Sequence, residues 1–117
     1  MVWLALLTAA TARAGDEGPC AAAATTAAMR GCEEARLKRA EDAMAAAYAA
    51  LERRLPPLRQ EKLRGSQRAW LRFRDADTAF QASAAEGGTL APLLETTARA
   101  DLTEARTTAL ERALDSR

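Results

Sequence analysis

The chain has 117 residues, of which 49% are apolar but only 4% aromatic, and it balances 17 Lys and Arg against 16 Asp and Glu. It contains no His and only two Cys, which excludes His-based acid–base catalysis and disfavours ordinary zinc sites. The near-neutral charge likewise gives no reason to expect nucleic acid as a partner. This length predicts one domain with a modest core, and the abundant Ala favours closely packed helices over a sheet.

The first segment, residues 1–14, has the pattern of a secretory signal peptide. An apolar run beginning at Met1 ends at Ala12-Arg13-Ala14, a small-residue cleavage pattern, and it is too short to span a membrane. No Lys or Arg precedes the run, which a start codon assigned too far downstream would explain. The alternative is a buried N-terminal helix. We therefore expect a signal peptide over 1–14, a single domain over 15–117 without a transmembrane segment, and a periplasmic or secreted location.

The two cysteines, Cys20 and Cys32, predict a disulfide bond because an exported chain folds in an oxidising compartment. Such a bridge would stabilise the fold by about 3 kcal/mol in the chain-entropy description. Two free thiols in a reducing compartment are the alternative. A bridge would hold an irregular N-terminal arm against the first turns of the following helix.

A long first helix is predicted over residues 27–55, where apolar side chains recur every three or four positions. Pro56 ends it because proline lacks an amide donor and restricts the residue before it. Pro57 is well placed to begin the second helix. That helix is expected to stop at Glu86-Gly87-Gly88, where glycine supplies flexible and left-handed backbone.

The third helix is expected to begin near Pro92 and to continue through Ala113. Short connections between long helices make neighbouring helices antiparallel. The predicted fold class is therefore all-α, an elongated antiparallel bundle of three main helices with a disulfide-pinned N-terminal arm.

The stretch from Arg53 to Arg74 carries eight basic residues and a single acid. Within it, Arg64, Arg68 and Arg72 follow one face of the predicted second helix. This pattern favours a cationic strip that binds an anionic surface, such as phospholipid, a cell-wall polymer or an acidic protein. The alternative is a solvated helix face whose Arg stems cover apolar surface.

The aromatic residues Trp70, Phe73 and Phe80 are predicted to form the core, because they step along an apolar stripe and few other side chains are large. A ligand platform is the alternative. Five charged residues are predicted to pair across helices and fix their register: Asp42, Arg74, Asp75, Asp77 and Arg106. A more specific alternative is a pair of carboxylates that catalyses hydrolysis. It is disfavoured because Asp75 and Asp77 point to different faces of the helix. No catalytic residue, metal ligand or cofactor is therefore predicted.

Several short motifs follow one another in a fixed order along the chain. They are Cys20 and Cys32, then Ala40-Glu41-Asp42 with Tyr48 and Leu51, then Gln67-Arg68-Ala69-Trp70-Leu71-Arg72-Phe73-Arg74-Asp75-Ala76, then Gly87-Gly88-Thr89, and finally Leu102-Thr103 with Arg106 and Leu110. Together they resemble the N-terminal domain of LprI-type lysozyme inhibitors, which are small secreted bacterial helical domains. The resemblance covers nearly all of the chain after residue 14, and the Gln-Arg-Ala-Trp text with Arg-Asp is its most specific part.

The resemblance implies an exported, non-catalytic domain that inhibits a lysozyme, with the exposed turn Gly87-Gly88-Thr89 as a candidate for entering a cleft. A simple helix connection is the alternative for that turn. Because lysozymes are commonly cationic, an inhibitor is expected to present acidic groups. The alternative function is an envelope interaction domain that docks through the Arg-rich second helix. The family usually carries a second Cys pair, whose places here are Thr78 and Ala98.

Overall fold

The computed structural model describes residues 20–116, so the predicted signal peptide over 1–14 lies outside the described residues. Three long helices follow one another: α1 (Thr26–Arg54), α2 (Pro57–Ala82) and α3 (Ala91–Asp115). A short 3₁₀ turn over Ser83–Ala85 extends α2, and residues 20–116 contain no strand. The predicted all-α architecture of three main helices is confirmed.

The helix boundaries follow from local chemistry. Thr25 caps α1, since its Oγ1 accepts a hydrogen bond of 3.0 Å from the backbone N–H of Ala28. Pro57 occupies the first turn of α2, where a backbone N–H would have no helical partner in any case. Gly87 has φ 80°, the left-handed conformation that the turn between α2 and α3 requires. The capping threonine, the proline and the glycine therefore determine where the helices begin and end.

The disulfide bond between Cys20 and Cys32 is also confirmed. Cys20 is buried, although it lies outside the helices, and Cys32 belongs to the second turn of α1. The bridge therefore holds the arm that precedes Thr25 against the beginning of α1, as predicted.

The third helix is the centre of the bundle, because the backbones of α1 and α2 both pack closely against α3, whereas α1 and α2 meet each other mainly through side chains. On α1 the buried apolar residues Ala40, Met44, Ala47 and Leu51 recur every three or four positions and form one stripe. Met44, Ala47 and Leu51 form a core with Leu110 of α3. Five partly buried side chains pack around this core: Tyr48, Leu55, Leu63, Trp70 and Leu114.

The prediction that Phe73 and Phe80 belong to the core is wrong. Phe73 is 53% exposed and Phe80 is 75% exposed, whereas Trp70 does pack on the core. The inner face of α2 follows Gln67, Trp70, Arg74 and Thr78, three or four positions apart, and Thr78 alone on this helix is fully buried. Polar side chains thus turn inward on α2, and both Phe residues fall on the other side of the helix.

Thr78 and Ala98, the positions that the sequence resemblance assigns to a second cysteine pair, are both buried, with 0% and 3% of their surface exposed. They belong to α2 and α3, which pack against each other. Small side chains therefore occupy this contact in place of a covalent bridge. The Thr78 hydroxyl is buried there without a hydrogen-bond partner among residues 20–116.

We expect the double variant Thr78→Cys/Ala98→Cys to form a second disulfide spontaneously. The new bridge would close a loop of about 20 residues and should raise the free energy of unfolding by about 3 kcal/mol. Thiol titration of the folded protein and urea denaturation with and without reductant measure both effects. The two single Cys variants serve as controls. Two titratable thiols in the folded double variant would show that these positions do not face each other.

Candidate functional site

The most heavily bonded side chain in the described residues is Arg36, which is buried near the beginning of α1. Its Nε donates to Glu104 Oε1 at 2.8 Å and its Nη2 donates to Glu104 Oε2 at 2.7 Å, so the two side chains form a bidentate pair. Nη1 donates to Glu33 Oε2 at 3.0 Å, and Nη2 also bonds Asp101. One cation therefore binds three carboxylates, one on α1 and two on α3, and joins the two helices through the latter; we call this arrangement the Arg36 cluster.

The hydrogen bonds from Glu104, the largest influence, raise the pKa of the Arg36 guanidinium above its ordinary value despite the opposing effect of burial. A cation whose pKa is higher in the folded state contributes its full stabilisation at every pH below its unfolded pKa, and loses it only as the pH rises through the folded value. The Arg36 cluster therefore stabilises the fold throughout the physiological pH range.

A second polar cluster surrounds Trp70 at the middle of α2. The Arg74 guanidinium lies 5.3 Å from the centre of the Trp70 ring, and the Arg106 guanidinium of α3 lies 5.9 Å from it. Both distances fit cation–π contacts. Arg106 Nε donates to Gln67 Oε1 at 3.0 Å, and Gln67 Nε2 lies 3.6 Å from Met44 Sδ on α1. We call this group the Trp70 cluster; it consists of Gln67, Trp70, Arg74 and Arg106.

Arg74 reaches all three helices. Its Nη1 donates to Thr103 Oγ1 on α3 at 3.3 Å and lies 3.6 Å from Glu41 Oε1 on α1. The neighbouring Asp75 accepts a hydrogen bond of 2.8 Å from Arg99 Nη1 on α3. Pairing across helices is therefore confirmed for Arg74 and Asp75.

The other three residues that were predicted to pair across helices differ from expectation. Asp42 bonds Lys38 and Asp77 accepts from Gln81, each within its own helix on exposed surface, so neither crosses to another helix. Arg106 does cross to α2, but it contacts neutral groups, Gln67 and Ser66. Burial lowers the pKa of Arg106, and no carboxylate in residues 20–116 pairs with it.

The predicted cationic strip is divided. Arg64 Nε lies 3.3 Å from Glu52 Oε2 on α1, so this residue joins two helices. Arg68 and Arg72 are exposed and form no ion pair within residues 20–116. The candidate inhibitory turn Gly87-Gly88-Thr89 is exposed throughout, at the end of the bundle where α2 meets α3. Tyr48 packs against the core, where burial raises the pKa of its hydroxyl.

An open groove of about 430 Å³ lies at the opposite end of the bundle. Leu51, Leu55 and Leu114 form its apolar walls, and Arg54 and Arg59 line it as well. Arg54 Nη1 donates to the backbone carbonyl of Leu114 at 3.0 Å, which ties the ends of α1 and α3 together. Within residues 20–116, no three His, Cys, Asp or Glu side chains are grouped to hold a metal ion, and no helix is both long and apolar enough to cross a membrane.

The Gln67–Asp75 stretch thus makes many of the interhelical contacts, and its polar side chains help to determine how α2 packs against α3. The profile of the family described as "Lysozyme inhibitor LprI" matches residues 19–110, most of the chain. The chain belongs to the LprI lysozyme-inhibitor family. The resemblance inferred from the sequence motifs is therefore confirmed. No curated protein and no solved structure matches the chain.

Sequence reasoning missed Arg36, the most heavily bonded charged side chain of residues 20–116 in this LprI-family fold. Glu33 and Arg36 are spaced i, i+3 on the same stripe as Ala40 and Met44, which was the available signal. Charged residues such as Glu33 and Arg36 are typical of a solvated surface. The partners that bury Arg36, residues 101 and 104 of α3, lie far along the chain, so the sequence around Arg36 gives no sign of them.

Replacing Arg36 with Ala is expected to lower the free energy of unfolding by about 3–5 kcal/mol, because Glu33 then remains buried beside two further carboxylates without a cation. Urea denaturation followed by circular dichroism measures the change. The matched control is Lys38→Ala, which removes an exposed pair within one helix and should leave the transition midpoint nearly unchanged. Equal effects of the two substitutions would contradict the role given to the Arg36 cluster.

Trp70→Ala is expected to lower the free energy of unfolding by about 2–4 kcal/mol, somewhat less than for a fully buried Trp because the ring is only half-buried. Phe80→Ala, an aromatic truncation on the same helix, should change it by no more than about 0.5 kcal/mol. Thermal and urea unfolding of both variants measure the difference. A large loss for Phe80→Ala would argue against the orientation of α2.

Proposed function

We propose that this protein is an exported, non-catalytic binding domain that inhibits a lysozyme. Membership of the LprI family over residues 19–110 is the observation that carries the proposal. The disulfide bond supports export, since such bonds persist in oxidising compartments. A signal peptide over 1–14 would deliver the chain to the periplasm or the medium.

The arrangement of charged side chains supports a binding role. The conspicuous charged residues of the central motif, Arg74 and Asp75, contact other helices and do not converge on a cleft. A rigid bundle whose register is fixed in this way offers a preformed surface, and a preformed surface reduces the entropy lost on binding.

The decisive experiment measures lysozyme turnover with the oxidised chain over residues 15–117 added in increasing excess. Turnover of at least one lysozyme class should fall in a saturable manner, since a preformed binder occupies a finite number of sites. Testing several classes, including a cationic c-type lysozyme, covers the range of partners. A neutral helical protein of similar size is the control for nonspecific effects. Unchanged turnover in every class would refute the proposal. Intact mass of the secreted protein independently tests cleavage after Ala14.

An envelope interaction domain is the second candidate function, and it is favoured by Arg68 and Arg72, which are exposed and form no ion pair within residues 20–116. Binding to anionic phospholipid vesicles should then fall steeply as salt increases. The double variant Arg68→Ala/Arg72→Ala should lose binding, whereas Arg39→Ala/Arg112→Ala, with the same change in net charge, should retain it. Absent or salt-independent binding would count against this function.

A further inference from the structure

The outer face of α2 carries an apolar stripe that nothing in residues 20–116 covers. Its four members lie at intervals of four, three and four residues, so they share one side of the helix: Ala69, Phe73, Ala76 and Phe80. All four are exposed. This side points away from the inner face that carries Trp70, and we call the four residues the outer stripe.

The same side of the helix continues toward the beginning of α2. Lys62 and Leu58 precede Ala69 by seven and eleven residues, which keeps them in line with the outer stripe. Leu58, Phe73 and Phe80 are 67%, 53% and 75% exposed, and no other large apolar side chain of residues 20–116 is exposed to the same extent. Single exposed apolar residues need no explanation, but three along one helix face indicate a contact surface.

The N-terminal half of this side is positively charged. Lys62 lies in line with the outer stripe, and Arg72 adjoins Phe73. Both cations are exposed and form no ion pair within residues 20–116. Glu61 is the single acid among residues 53–74, so it does not neutralise this half.

The C-terminal half of the same side is negatively charged. Asp77 borders the outer stripe and accepts a hydrogen bond of 2.8 Å from the neutral Gln81. Glu86, which follows the 3₁₀ turn after α2, is exposed, and neither acid forms an ion pair in the described part of the chain. Asp75 does not add to this charge, because Arg99 pairs with it at 2.8 Å. The outer side of α2 thus changes sign from one end to the other.

We propose that the outer stripe is the surface through which two copies of this chain form a two-fold, antiparallel dimer. In this arrangement the N-terminal half of each α2 lies against the C-terminal half of the other copy. The positive end, with Lys62 and Arg72, then faces the negative end, with Asp77 and Glu86, and the symmetry repeats this attraction. A parallel pair would instead place Lys62 of one copy against Lys62 of the other, which is unfavourable.

One register satisfies the charged and the apolar groups together. With the two-fold axis beside residue 74, Lys62 of one copy faces Glu86 of the other, since each lies 12 residues from that position. Phe80 then packs over Ala69 of the other copy, and the two Phe73 rings lie beside the axis. The small side chain of Ala69 leaves room for an aromatic ring, so the two helices can pack closely.

The change of sign disfavours other occupants of this surface. An anionic lipid surface would attract Lys62 and Arg72 but repel Asp77 and Glu86 near Phe80. A uniformly cationic protein would attract the acids and repel the cations. A second copy in the antiparallel arrangement fits both ends, so it is the occupant that the charges favour. This inference goes beyond the proposed function and does not depend on it.

Sedimentation velocity of the oxidised chain over residues 15–117 tests the dimer. We expect a monomer–dimer equilibrium within a range of about 1 µM to 1 mM, as for small interfaces. Phe73→Ser/Phe80→Ser should raise the dissociation constant of the dimer at least about tenfold, since aromatic anchors dominate binding. Circular dichroism verifies that the variants remain folded.

A matched pair of substitutions checks that the effect belongs to the outer stripe. Ala76→Gln places a longer neutral side chain in the middle of the stripe and should also weaken the dimer, because the two helices can no longer approach as closely. Ala45→Gln makes the same change at an exposed position of α1 and should leave the dissociation constant within about twofold of wild type. Equal effects of the two substitutions would contradict the assigned surface.

A charge exchange tests the antiparallel register. Lys62→Glu should raise the dissociation constant at least about fivefold, because it places Glu beside Glu86 of the other copy. Adding Glu86→Lys recreates the attraction with the signs exchanged and should restore the dissociation constant to within about twofold of wild type. Arg39→Glu, on the exposed surface of α1, makes the same change in net charge and should have little effect. Failure of the second exchange to restore the dimer would overturn this register.

The remaining outcomes are equally decisive. A wild-type chain that stays monomeric over the whole concentration range would overturn the dimer, and so would a dimer that persists in the double Phe variant. Binding of the monomer to anionic phospholipid vesicles that the double Phe variant abolishes would assign the outer stripe to a lipid surface instead. Lysozyme turnover is measured separately, so failure of the dimer and failure of the proposed function are distinguishable.

Discussion

The Arg74 guanidinium of α2 contacts both other helices, and the arrangement of the bundle depends on these contacts. It extends from α2 beside the Trp70 ring and reaches Thr103 on α3 and Glu41 on α1. Ala-rich helices bury little apolar area per residue, so apolar packing alone distinguishes poorly between neighbouring registers. Directional contacts from Arg74 and from the Arg36 cluster supply that distinction, so the Gln67–Asp75 stretch of this chain acts chiefly through interhelical contacts.

The helix boundaries and the disulfide bond could be predicted from the sequence because each is determined locally. Proline and glycine act on their own backbone, and two cysteines allow a single pairing. The inward-facing side of α2 could not be predicted in the same way. Gln67 and Arg74 turn inward because Met44, Glu41 and Thr103 on the other helices contact them, and that information lies far away in the sequence. A search for apolar periodicity therefore selected the stripe containing Phe73 and Phe80.

The same argument explains the candidate site. Charged residues were expected to serve either as partners across helices or as a free cationic surface, and the structure assigns Arg64, Arg74 and Asp75 to the first group and Arg68 and Arg72 to the exposed surface. That Phe73 and Phe80 are exposed depends on the orientation of α2, which the apolar pattern of the sequence does not determine.

The central position of α3 has a consequence for how the bundle opens. The backbone of α2 packs closely only against α3, and α2 meets α1 through side chains such as Arg64, Gln67 and Arg74, so we expect α2 to detach as a unit while α1 stays joined to α3. Such a motion breaks the contacts of Arg74 and Arg106 but leaves intact the Arg36 cluster and the bridge from Cys20 to Cys32. The backbone amides of α3 should therefore exchange their hydrogens more slowly than those of α2, which we expect to be the least firmly held of the three helices.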